Sequence, residues 1–171
     1  MIWQDVEPNH DATLVEVRDA TRAWTALPGA VVLTVDPQVT HWGFARWRAG
    51  VLEAALELDP YFHGPAAPHA LIVSERPESR GGRTRTPVDD LLALAIAAGQ
   101  VRALCPAAPV LWIRPSRWKG QQPKSVQHAH AREVLAPAER ATWDALPERW
   151  GRRAEDARDA VCLGLVALGR L

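Results

Sequence analysis

Four acidic residues stand where their side chains could act together. Asp36 directly follows the run Val31-Val32-Leu33-Thr34-Val35, and Glu75 directly follows Ala70-Leu71-Ile72-Val73-Ser74. Both runs are short and apolar, as expected of strands buried on both faces. If the two strands are parallel neighbours, both carboxylates emerge at one sheet edge. That edge, beyond the strand C-termini, is where open α/β sheets place their ligands. Asp156 and Asp159 open a terminal segment whose remainder, Val161, Leu163, Leu165, Val166 and Leu168, is apolar. Residues three apart share a helix face, so docking this helix on the sheet carries its acidic first turn towards the strand tips. Four gathered carboxylates repel one another and raise each other's pKa. Hard oxygen donors in that number suit Mg²⁺ or Mn²⁺. Two such ions about 3.5–4 Å apart can clamp the attacking and leaving oxygens of a phosphodiester. The chemistry expected is metal-dependent phosphodiester hydrolysis, with the acids as ligands and no separate general base.

Taken singly, each acid has a structural reading. Asp36 precedes Pro37 and fits a turn, Glu75 can end a strand, and Asp156 and Asp159 suit the positive end of a helix dipole. The order strand-Asp, strand-Glu, helix Asp-x-x-Asp is what points to a shared site.

The elements that must position these acids follow from the hydrophobic pattern. Leu14, Val17, Thr21 and Trp24 recur at near-helical spacing until Leu27-Pro28-Gly29, which predicts a helix. Residues 1–29 therefore read as an N-terminal helical extension ahead of one domain over residues 30–171, long enough to bury a core. After Asp36-Pro37-Gln38 a second strand is predicted over residues 40–48. A third follows over 51–58, although Leu52-Glu53-Ala54-Ala55-Leu56 is rich in helix formers. Residues 87–104 read as a helix and 110–113 as a strand. Residues 118–124 read as a loop, with helices over 125–135, 137–146 and 154–168. This order fits an α/β sandwich with a mixed sheet.

Bulk properties narrow the function classes. Hydrophobic residues make up 47% of the chain, and no run approaches the roughly 18 apolar residues of a membrane span. Residues 1–11 lack a basic region followed by an apolar stretch, so no signal peptide is read. Cys105 and Cys162 have no metal-type spacing and fit small buried hydrophobes of a reducing, cytoplasmic protein. Twenty basic residues balance twenty acidic ones, so there is no basic surplus of the kind common in nucleic-acid-binding domains. The distribution says more. The chain's two lysines, Lys119 and Lys124, lie in one short segment, as if a compact ammonium were wanted there. Arg76, Arg80, Arg83 and Arg85 follow Glu75 in a polar loop, where guanidinium forks would match phosphate oxygens. Trp42, Trp47 and Trp112 read as core, and Trp118 as a packing residue. His128, one turn after Lys124, could approach the site. His128 and His130 are two apart and would not share a helix face. Neither a glycine-rich phosphate loop nor a Ser/His/Asp arrangement is legible.

These residues and their order resemble the RuvC family of Holliday-junction resolvases, in its short phage-type form, over residues 31–168. The likeness is carried by Val35-Asp36-Pro37 with Thr40 and Gly43, and by Ser74-Glu75 ahead of a basic loop. It continues through Arg114-Pro115-Ser116-Arg117-Trp118-Lys119-Gly120 with Pro123-Lys124, and Asp156-Ala157-Arg158-Asp159-Ala160. The resemblance implies an RNase H-like nuclease domain over residues 30–171, with a mixed five-stranded sheet flanked by helices. It implies Asp36, Glu75, Asp156 and Asp159 as catalytic metal ligands for two Mg²⁺ or Mn²⁺ ions. It further implies Lys119 and Lys124 as contacts to the DNA backbone near the scissile phosphate, a homodimer, and paired nicks across a four-way junction in branched DNA. Three features depart from the family. Gln38 stands where glycine is usual, Glu78 where the bacterial form has an aromatic wedge, and residues 1–29 precede the first strand. The alternative readings are another RNase H-like nuclease, of the RNase H or transposase type, and a junction-binding scaffold without catalysis.

Overall fold

The computed structural model describes residues 11–38, 41–58, 70–76, 88–104, 107–147 and 152–171. In chain order its elements are α1 (Leu14–Thr25), β1 (Val31–Pro37), β2 (Trp42–Arg48), β3 (Val51–Leu58), β4 (Ala70–Glu75) and α2 (Val88–Leu104). They continue with β5 (Val110–Ile113), α3 (Pro115–Trp118), α4 (Lys124–Val134), α5 (Pro137–Asp144) and α6 (Arg152–Ala167). The strands form one five-stranded sheet in the order β3-β2-β1-β4-β5. β1 runs antiparallel to β2 and parallel to β4, and β4 runs parallel to β5. This is a mixed α/β sheet flanked by helices.

The alternation of side chains along β1 settles what each face does. Val32 packs in the larger core with α6, whereas Val35 packs in a smaller core under α2 with Ile72, Ala97 and Val101. Thr34 lies on the α6 face, where its buried hydroxyl donates to Ala160 O at 2.7 Å and accepts from Trp47 Nε1 at 3.0 Å. That pair ties β1, β2 and α6 together and leaves neither polar group unsatisfied, a lapse that costs about 1–3 kcal/mol. Two residues on, Asp36 shares that face. In β4, Leu71 and Val73 belong to the same core, so the same parity turns Glu75 to α6.

Two glycines let α6 lie low on β2. A Cβ on Gly43 would overlap the Asp156 carbonyl, and a Cβ on Gly164 would overlap the Trp47 indole. Asp156, Ala160 and Gly164 are spaced four apart, so one stripe of the helix meets the sheet. α1 closes the other side of α6. Its Val17 and Ala20 join the main core, and Arg18 donates to Val166 O and Leu171 O at the end of that helix.

The predicted third strand is present, and the structure adds one short helix. β3 is a strand despite its helix formers, because it pairs with β2 along its length and buries Leu52. Tertiary pairing outweighs a propensity difference of a few tenths of a kcal/mol per residue (roughly). The short helix α3 precedes the predicted 118–124 loop, with Pro115 at its first position, where its fixed φ and missing N–H fit. Among the described residues, no helix is long and apolar enough to cross a membrane.

Candidate metal centre

Parallel pairing of β1 with β4 runs to Val35 opposite Ser74, so Asp36 and Glu75 are the next residues on neighbouring strands. Gly43 is the β2 partner of Asp36 and also lies against the backbone of Asp156. One turn along α6, Asp159 reaches the same place, because the Lys119 ammonium contacts both Glu75 Oε2 at 2.8 Å and Asp159 Oδ2 at 3.5 Å. The structure thus brings all four acids together, at the edge beyond the C-termini of β1 and β4. Two of them, Glu75 and Asp159, line a cleft of about 600 Å³ together with Gln38, Lys119, Lys124 and Gln127.

Each carboxylate has distinct company. Asp36 is 1% exposed. Its Oδ1 accepts from Gln38 Nε2 at 3.2 Å, while its buried Oδ2 has no hydrogen-bond partner among the described residues. Glu75 Oε2 accepts from Trp118 Nε1 at 3.2 Å as well as from Lys119. Asp159 Oδ1 lies 2.7 Å from His128 Nε2, and its Oδ2 lies 3.0 Å from the Lys124 ammonium. Lys124 also reaches Glu155 at 3.3 Å.

The electrostatics divide the acids into two groups. Burial, reinforced by Glu75, pushes the Asp36 carboxyl well above the usual range. Burial also raises Glu75, against the pull of Lys119, and raises Asp156 to about 6. For Asp159, burial is more than offset by His128 and the two ammoniums, and its pKa is lowered. Burial would lower Lys119, yet Glu75, Asp36 and Asp159 hold its pKa above the ordinary lysine value. Two lysines therefore do not neutralise the cluster.

A divalent cation fits this donor set. The oxygens are hard, three acids are short of positive charge, and one buried oxygen of Asp36 has no partner among the described residues. As they stand, no three His, Cys, Asp or Glu side chains among the described residues form a ready cage. Glu75 and Asp159 face the Lys119 ammonium instead.

These shifts carry a pH dependence. Between 3.8 and about 6 the folded chain keeps a proton on Asp156 that the unfolded chain has lost. The folded state binds more protons there, so metal-free stability should fall as pH rises through that window. Asp36 and Glu75 act with the same sign. Thermal unfolding from pH 4 to 6.5 should show this decline, Asp156→Asn should flatten it, and Mg²⁺ should restore stability at the upper end. A metal-free profile identical in wild type and variant would refute the assignment of Asp156 to the cluster.

Other candidates from the sequence fall as follows. Arg76 continues from β4, its N–H donating to Ile113 O at 2.9 Å. Arg80, Arg83, Arg85 and Glu78 lie outside the described residues, as does Cys105. Cys162 is buried and free of any disulfide. Trp42, Trp47 and Trp112 are core residues. Trp118 is buried too, but it also positions Glu75, a role that its neighbouring lysine did not reveal. Gln38 was noted only as a departure from glycine, yet its amide bonds Asp36. His128 meets Asp159, as its place one turn after Lys124 allowed.

No protein-family model and no curated protein matches the chain. Among solved structures, the chain is similar to T. thermophilus RuvC in complex with Holliday junction substrate. The identity is 14% and the TM-score 0.44, with 80% of this chain and 91% of that chain covered.

Proposed function

We propose that the chain is a metal-dependent endonuclease that hydrolyses phosphodiesters in branched DNA of the four-way junction type. The observation that carries this reading is the buried Asp36 carboxylate, with one oxygen unpartnered among the described residues, in a group of four acids at the sheet edge. Held by Asp36, Glu75, Asp156 and Asp159, two Mg²⁺ or Mn²⁺ ions would supply a water of lowered pKa and charge neutralisation at the leaving 3′ oxygen. The chain's own residues provide the rest. Trp118 orients Glu75, His128 orients Asp159, and Gln38 steadies Asp36. Such partners fix carboxylate geometry at metal sites. Lys119 and Lys124 line the cleft and supply point charges for a backbone phosphate.

Branched DNA as substrate rests on the RuvC-like runs around Asp36, Lys119, Lys124 and Asp156. Paired nicks across a junction call for a homodimer, one site per strand, working in the cytoplasm. A cleavage panel tests this reading: four-way junction, flap, linear duplex and RNA–DNA hybrid, each with Mg²⁺. The junction should be nicked fastest and at symmetric positions. Preference for the hybrid would replace the resolvase reading with an RNase H-type activity. A second reading, junction binding without catalysis, is favoured by the contacts of Glu75 and Asp159 with lysine. It predicts junction binding with no nicking in Mg²⁺ or Mn²⁺.

A further inference from the structure

We propose that the Lys119 ammonium is the resident counter-cation of the acid cluster, and that a divalent cation must displace it from Glu75 and Asp159. The inference rests on the metal-site reading above and concerns how that site is loaded.

Lys119 is not placed like a surface lysine waiting for DNA. Its side chain is 22% exposed, against 42% for Lys124. Its Nζ lies 2.8 Å from Glu75 Oε2 and 3.5 Å from Asp159 Oδ2. The seat is built around it. The Trp118 ring lies 4.8 Å from the ammonium, and the same indole donates to the same Glu75 oxygen. The Lys119 N–H donates to Pro115 O at 2.8 Å, closing the short helix beneath.

An ammonium and a hard divalent cation seek the same ligands. Both are held by charge and by oxygen lone pairs, and one carboxylate oxygen cannot give its closest approach to both. With lysine in place, Glu75 and Asp159 face Nζ, and no three-residue cage exists among the described residues. Loading the ion should therefore release the ammonium into the cleft. There, the anion of a bound polynucleotide is a backbone phosphate. Ion and phosphate then help each other. The ion frees Lys119 for phosphate, and phosphate that captures Lys119 vacates the ion's ligands. Linkage requires this coupling to be equal in both directions.

The experiment is calorimetric titration of Mn²⁺ into the DNA-free protein, wild type and Lys119→Gln, with unfolding curves to confirm that both fold. Lys119→Gln should bind Mn²⁺ about tenfold more tightly, the size of an ordinary coupling between competing ligands. Added four-way junction should tighten Mn²⁺ binding in wild type and much less in the variant. Should Lys119→Gln misfold, wild-type protein answers alone. With only two lysines in the chain, side-chain NMR of labelled lysine resolves both. Saturating Mg²⁺ should move the Lys119 signal towards that of free lysine. Equal or weaker Mn²⁺ binding by the folded variant, or a Lys119 signal unmoved at Mg²⁺ saturation, overturns the exchange and leaves the metal site standing. Absence of cation binding in both proteins overturns the metal-site reading and the exchange with it.

Discussion

Asp36→Asn is expected to abolish Mg²⁺-dependent nicking of a four-way junction, by at least about a hundredfold, while junction binding stays intact or strengthens. The reasoning starts from burial. Asp36 has Glu75, Asp156 and Asp159 as acidic neighbours, and burial, reinforced by Glu75, pushes its pKa well above the usual range. Asparagine keeps the volume and removes the charge. The metal-free cluster then repels itself less, so the unfolding temperature should rise near neutral pH. The cleft also presents less negative charge to phosphate. What is lost is an anionic oxygen for the cation. Nicking in Mg²⁺, junction binding in Ca²⁺ and thermal unfolding together read the three effects. Nicking at the wild-type rate would remove Asp36 from the chemistry.

Gly43→Ala should inactivate the protein by a different route and with the opposite effect on stability. The added methyl would overlap the Asp156 carbonyl, and the next-nearest neighbours are also α6 backbone. Backbone cannot rotate aside as a side chain can. The start of α6 must therefore lift from β2, carrying Asp156 and Asp159 away from Asp36 and Glu75. Overpacking of this kind costs about 1–3 kcal/mol. The variant should unfold at a lower temperature, bind Mn²⁺ more weakly and nick poorly. A stable, fully active Gly43→Ala protein would mean that close approach of α6 is not what assembles the site. Gly164→Ala tests the other end of the same contact, where a methyl meets the Trp47 indole that donates to Thr34.

The acids were legible in the sequence because simple periodicities place them. β1 and β4 are apolar runs that end at Asp36 and Glu75, and strand parity then fixes the face. Asp156 and Asp159 share a helix face by spacing alone. What periodicity cannot show is a contact across the chain. Lys119 and Asp159 are 40 residues apart, and their meeting depends on how α3 packs beneath the sheet edge. The inward turn of Lys119 was hidden for that reason, and so was the role of Trp118. β3 read as a strand although Leu52-Glu53-Ala54-Ala55-Leu56 is rich in helix formers, and its pairing with β2 is what holds it extended. Gly43 was visible as a residue of the RuvC-like run, but its fit against Asp156 appears only once α6 is docked.

Asp11 forms a lone parallel bridge to Trp112, Ala12 N donates to Trp112 O at 2.8 Å, and Arg114 closes on Asp11 at 2.7 Å. β5 ends the sheet on that side, and an outermost strand offers open amides to any extended chain that drifts past. The residues just ahead of α1 take up part of that offer from within. On this side the protein shields itself against unwanted strand addition, a safeguard against self-association rather than a part of the acid cluster.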